Sequence, residues 1–187
     1  MMNAALIAFA GTRRLARGEA LAVALAVKDA QDAGEEAPIL IFDCATGRPV
    51  DLDLRGTPDD IRARLEEEAP EPPQPRGPGR PRLGVVAREV TLLPRHWEWL
   101  SSQPGGASVM LRKLVDEARR TSEAQDRIRE AREATYRFMV ATAGNETDFE
   151  EASRALFAGE AGRFAMLVEP WPEDIREQVM ELAEDAF

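Results

Sequence analysis

Residues 69–81 read APEPPQPRGPGRP, and six of these thirteen positions are proline. Proline fixes its own φ, lacks an N–H and pushes the residue before it out of the helical region. The stretch therefore enters neither a helix nor a sheet, and the chain must fold as segments on either side of it. The spacing predicts a small α/β domain over 1–68, a Pro/Arg arm over 69–82, a strand-helix-helix unit over 83–120 and a helical region over 121–187. The class expected from this order is α+β.

Charge follows the same division. The net charge of the 187 residues is -10, but residues 1–75 carry 8 basic and 14 acidic groups, net -6. Residues 76–120 carry 9 and 4, net +5, and residues 121–187 carry 7 and 16, net -9. A basic middle between acidic flanks suits an anionic partner, or docking of the flanks onto the middle.

Before the arm, "ALIAFAG" reads as a strand ended by Gly11, and "EALAVALAVKDAQDAG" as a helix stopped at Gly34. "APILIFD" reads as a buried strand. "VDLDL" alternates, with Val50, Leu52 and Leu54 on one face, so residues 38–55 are expected to form a hairpin. In "TPDDIRARLEEE", Thr57 is the expected N-cap with Pro58 at the first helical position. After the arm, "LGVVAREVTLLP" reads as a strand, "RHWEWLSSQ" as a short helix and "PGGA" as a turn. "SVMLRKLVDEARR" reads as a helix capped by Ser108, and "SEAQDRIREAREATYRFMVATAG" as a long helix ending at Gly144. Thr147 and Glu150 have capping-box spacing. Pro172 opens a last helix.

Catalytic motifs are missing. The sequence has no nucleophile elbow, P-loop or paired-histidine pattern, so no enzyme, cofactor or metal site is expected. His96 reads as a surface or cap residue. Asp51 and Asp53 read as a solvated face, and Asp148, Glu150 and Glu151 as acids favoured by a helix N-terminus. Trp97, Trp99 and Leu100 read as core. Cys44 is the single cysteine. It forms no internal disulfide, which suits a reducing cytoplasm. The apolar run at the start precedes its arginines, the reverse of a secretory signal. "ALAVALAV" is too short to span a bilayer.

Gly79-Arg80-Pro81, flanked by Arg76 and Arg82, resembles an AT-hook, although Pro78 stands where a hook usually has a basic residue. The resemblance implies that Arg76, Arg80 and Arg82 contact a minor groove and phosphates. A solvated linker is the plain alternative.

Residues 83–120 resemble a ribbon-helix-helix DNA-binding domain. The likeness rests on Leu93-Pro94 at the strand end, the Gly105-Gly106-Ala107-Ser108 turn, and the stripe Leu111, Leu114, Val115 and Ala118. It implies a homodimer whose paired strands enter the major groove. Arg88 and Arg95 would face the groove or backbone, and Ser108, Arg112 and Lys113 would hold phosphate. The strand departs from that pattern. Its groove-facing set is either Arg88, Val90 and Leu92 or Glu89, Thr91 and Leu93, too apolar for base reading.

Over almost its whole length the chain also resembles a bacterial family of uncharacterised proteins, domain of unknown function family 2239. The carrying stretches are "FDCATGRPVDLDLRG", "GRPRLGVVAREVTLLPRHWEWL", "QPGGASVMLRKLVDEAR" and "FEEASRALFAG". That family implies no activity. The expected function is a cytoplasmic, dimeric DNA-binding or regulatory protein. The alternative is a protein-interaction or structural module with no nucleic acid and no enzymatic activity.

Overall fold

Strand β1 (Leu6–Ala10, LIAFA) is apolar at every position and buried along its whole length. Side chains alternate across a strand, so a strand apolar on both faces needs a layer on each side. The computed structural model, which describes residues 5–67, 86 and 88–187, supplies both layers. β1 lies at the centre of a three-stranded sheet with the order β2-β1-β3. Its neighbours are β2 (Arg13–Gly18) and β3 (Ile39–Asp43), each antiparallel to it.

One face presents Leu6, Ala8 and Ile41 to Val23 and Val27 of helix α1 (Ala20–Asp32). Val50, Leu52 and Leu54 close the edge of this layer, half-buried. Helix α2 (Pro58–Glu67) packs on α1 and buries Ile61. Its expected cap forms: the Asp60 N–H donates to Thr57 Oγ1 at 3.3 Å, and the Thr57 N–H donates to Asp60 Oδ2 at 2.8 Å.

The other face presents Ile7, Phe9 and Phe42 to the C-terminal helices. Phe138 of helix α4 (Gly106–Thr142) lies 5.5 Å from Phe9 and 4.9 Å from Phe42, ring centre to ring centre. Behind it stand α5 (Phe149–Ala158), α6 (Ala161–Val168) and α7 (Glu173–Leu182). They contribute Leu156, Phe164, Val168, Ile175 and Val179 to the same core. The class is α+β. The N-terminal sheet and the C-terminal helices, expected as separate domains, belong to one compact unit that takes in residues 5–67 and 125–187. The physical reason is the second apolar face of β1, which α1 cannot cover.

Several local expectations are corrected. β3 pairs with β1, and residues 50–54 form no strand, so the hairpin expected over 38–55 shrinks to a short return in which the Asp43 and Val50 N–H groups donate to the Arg48 and Ile41 carbonyls at 2.9 and 2.8 Å. A single bridge joins Phe42 and Pro49. β2, whose sequence RRLARG carries no apolar alternation, is a real edge strand. The two expected helices after Gly106 are one helix of 37 residues. Thr121, near the expected break, turns its hydroxyl back to the Glu117 carbonyl at 2.9 Å, so it does not compete with the helix for an N–H. Thr147 does not cap α5. Asp148 takes that position in the left-handed region without a side-chain cap, and the Thr147 carbonyl instead accepts the Trp171 indole N–H at 2.8 Å.

Gln178 of α7 is buried among apolar side chains, and neither its amide nitrogen nor its oxygen has a partner among the described residues. An unsatisfied buried amide costs about 1–3 kcal/mol. Gln178→Met keeps the length of the side chain and removes that cost. Urea unfolding should show a gain of about 1 kcal/mol. A loss of stability would mean that the amide is satisfied in solution.

The second compact unit takes in residues 86 and 88–124 of the described chain. It contains α3 (Pro94–Ser102) and the first half of α4. Leu100 is its single fully buried apolar side chain among the described residues. Trp97 and Trp99, expected in a core, are 40% and 48% exposed.

Candidate functional site

The residues expected to contact nucleic acid fall into two groups. Arg76, Arg80 and Arg82 lie outside the described residues, as does most of the expected strand. The described part of that strand, residues 86 and 88–93, is irregular backbone. Val86, Val90 and Leu93 are exposed. A lone strand leaves its N–H and C=O groups unpaired, and no neighbouring strand exists in this unit among the described residues. Leu93-Pro94 does open α3, with Leu93 extended and Pro94 at the helix start. The helix that should end near residue 120 runs on to Thr142. The ribbon-helix-helix likeness is therefore not shown.

Arg88 and Arg95 are exposed, the first in the irregular segment and the second in the first turn of α3. Ser108, Arg112 and Lys113 are exposed on α4. Gly105 and Gly106 take φ of +89° and +75°, as the expected tight turn requires. The helix begins at Gly106, so Ser108 sits inside the first turn and is not its cap.

The arginines differ in what they face. Ten arginines of the first unit form ion pairs with carboxylates. Arg132 and Arg137 donate to backbone carbonyls. In that unit Arg48 and Arg127 alone have neither partner among the described residues. From residue 88 to 124 the proportion reverses. Arg120 pairs with Glu117, while Arg88, Arg95, Arg112, Lys113 and Arg119 have no carboxylate partner among the described residues.

A cleft in the first unit has no signature in the sequence. It has a volume of about 700 Å³ and is lined by Cys44, Arg48, Arg127, Arg137, Glu181 and neighbouring side chains. Its floor is fixed by Asp43, whose Oδ1 accepts from the Ala45 and Thr46 N–H groups at 3.0 and 2.8 Å. At its edge the Arg17 guanidinium makes a two-pronged contact with Glu181. That hydrogen bond holds the Glu181 carboxyl below its usual range and raises Arg17. Burial pushes the Cys44 thiol up, against the pull of Arg17. Acidic and basic side chains are mixed around this cleft, so it selects neither ligand charge.

A carboxylate whose folded pKa is depressed adds stability above its unfolded pKa and loses it as pH falls through the folded value. The Tm advantage of the parent over Glu181→Gln should therefore shrink between about pH 5 and pH 3. An advantage that stays constant over this range would show that the Arg17 pair does not hold in solution. Asp53, expected on a solvated face, is held low by Arg55 and also faces Arg64. Both of its carboxylate oxygens contact guanidinium groups. No group of three or more metal-ligating side chains occurs among the described residues.

The comparisons bear on the whole chain. A family model described as an uncharacterized protein conserved in bacteria (DUF2239) matches residues 5–183. The chain belongs to this family. No curated protein and no solved structure matches it. In this member of the DUF2239 family, no helix among the described residues is long and apolar enough to cross a membrane.

Proposed function

We propose that this DUF2239 protein binds DNA through its basic middle segment and acts as a regulatory protein. One observation carries the reading: the exposed cations Arg88, Arg95, Arg112, Lys113 and Arg119 have no carboxylate partner among the described residues, whereas eleven of the fifteen cations of the first unit have one. A paired arginine must give up its carboxylate before it can meet a phosphate. An unpaired, exposed one does, and its binding releases condensed counterions. Arg88 and Arg95 lead this surface, because they stand in and next to irregular backbone that can follow a groove. Arg76, Arg80 and Arg82 extend the basic set along the sequence. The acidic remainder of the chain disfavours non-specific binding.

Binding to mixed genomic fragments, titrated with salt, tests the reading. Replacing Arg88 and Arg95 by alanine should lower the log–log salt slope by about 1.8, at about 0.9 for each phosphate contact. Absence of binding by the parent at low salt would remove the proposal. The second reading, a protein-interaction module, rests on the exposed Trp97 and Trp99. It predicts no DNA binding at any salt concentration.

A further inference from the structure

The chain after β3 begins to form a fourth strand and then stops. Phe42 bridges Pro49, and the Asp43 and Val50 N–H groups donate to the Arg48 and Ile41 carbonyls at 2.9 and 2.8 Å. Those two bonds flank a non-hydrogen-bonded antiparallel pair, so the register is already set. Continued, it puts Val50 opposite Ile41, Asp51 opposite Leu40 and Leu52 opposite Ile39. Three backbone bonds would follow: the Ile41 N–H to the Val50 carbonyl, and a reciprocal pair between Ile39 and Leu52. None of the three forms among the described residues. A groove of about 480 Å³ opens there instead, lined by Ile39, Ile41, Val50, Leu52 and Leu54 together with Val27 of α1.

The side chains are ready for the missing pairs. Directly opposed residues share a face, and Ile39, Ile41, Val50 and Leu52 already pack on the α1 side of the sheet. Asp51 and Leu40, which would meet on the other face, are both exposed. Pro49 lacks an N–H, but in this register its nitrogen points away from β3, where an edge strand tolerates proline. Residues 50–55 contain no glycine or proline.

Helix α2 holds the segment off the sheet. Its buried Ile61 and its Thr57–Asp60 cap fix the helix, and with it the place from which Arg64 reaches out. The Arg64 guanidinium donates to the Asp53 carbonyl and, at 3.1 Å, to the Arg55 carbonyl. Its Nε stands 3.5 Å from Asp53 Oδ2. Carbonyls two residues apart share one edge of an extended chain. In the continued register that edge faces away from β3, so Arg64 pulls on the segment from outside.

We propose that residues 51–54 are a strap with two positions. Arg64 holds it open in this structure, and it closes onto β3 as a fourth strand when that hold is released. Closure exchanges the contacts of one partly exposed arginine for three backbone bonds, terms of similar size. It also fills the groove and covers the bare edge of β3. Every residue involved lies in the first unit, and none belongs to the cations assigned to DNA, so the strap and the DNA reading fail separately.

Hydrogen exchange on the full chain without DNA reads the position of the strap. In Arg64→Ala the Ile39, Ile41 and Leu52 amides should exchange about tenfold more slowly than in the parent. An Hα–Hα NOE should join Leu40 to Asp51, as in any non-hydrogen-bonded antiparallel pair. Equal or faster exchange at these three amides would overturn the proposal. A second variant leaves α2 untouched. In a Cys44→Ser background, Leu40→Cys with Asp51→Cys should oxidise to a disulfide, because opposed positions of such a pair stand about 4.5 Å apart. The disulfide should slow the same amides with Arg64 in place, and its reduction should restore the parent's rates. A pair that does not oxidise, or that oxidises without slowing them, also sinks the strap.

Discussion

Phe138→Ala should destabilise the protein by about 3–5 kcal/mol, the range for removing a fully buried aromatic ring from a core. Phe138 is buried, and its ring lies edge-on to Phe42 at 4.9 Å and tilted against Phe9 at 5.5 Å. Those two rings belong to different strands, β1 and β3. The substitution therefore opens a cavity at the one place where α4 meets both. Each aromatic pair adds about 0.5–1.5 kcal/mol beyond its buried area, which favours the upper part of the range. A domain of this size is stable by about 5–15 kcal/mol in total, so about a fifth of that margin or more should go. Val140, two residues along the same helix, is 51% exposed. Its replacement by alanine should change stability by less than about 0.5 kcal/mol. Denaturant unfolding of both variants measures the contrast. Equal small losses would mean that α4 does not pack on the sheet.

The same ring shows what the sequence could and could not reveal. β1, β3, α1, α2 and the end of α4 are legible because their apolar spacing and caps are local. β2 is not, because its stability comes from elsewhere. Arg14 donates its backbone N–H to Asp174 and its guanidinium to Glu177, and Arg17 holds Glu181. These partners lie some 160 residues away in the sequence. An edge strand built from arginines looks like a loop until the acidic face of α7 is known. The segment 50–54 errs in the opposite direction. Its alternation correctly puts Val50, Leu52 and Leu54 inward, but only residues 48–50 bond to the free edge of β3, the Asp43 N–H donating to the Arg48 carbonyl at 2.9 Å and the Val50 N–H to the Ile41 carbonyl at 2.8 Å, and the chain then leaves the sheet.

The candidate surface is legible in part for a related reason. Composition locates the cations of the middle segment, but it cannot say which cations in the chain are neutralised. Arg17 and Arg95 look alike in sequence. One is clamped by a carboxylate, and the other stands exposed without one among the described residues. That difference, which the DNA proposal uses, exists only after folding.

Gly47→Ala should cost about 2–4 kcal/mol, which combines a left-handed backbone term of about 1–2 kcal/mol with overpacking of a tight contact. Gly47 has φ of +59° in the turn after β3, where its N–H donates to the Asp43 carbonyl at 2.9 Å. A Cβ there would lie 2.4 Å from the Ala134 carbonyl oxygen and 3.4 Å from the Phe138 Cβ. The oxygen belongs to the backbone of α4 and cannot rotate away, so either the turn or the helix must move. Movement of the turn drags on Phe42, and movement of the helix drags on Phe138. The clash thus reaches the same aromatic cluster from the opposite side. Gly34 provides the control. It also has a positive φ, +84°, but a Cβ there meets nothing within 4 Å. Gly34→Ala should therefore cost the backbone term alone, about 1–2 kcal/mol. The difference between the two variants in urea isolates the close approach of the turn to α4. If Gly47→Ala loses no more than Gly34→Ala, the 43–48 turn does not seat against the helix, and the cleft lined by Cys44 and Arg137 loses its floor.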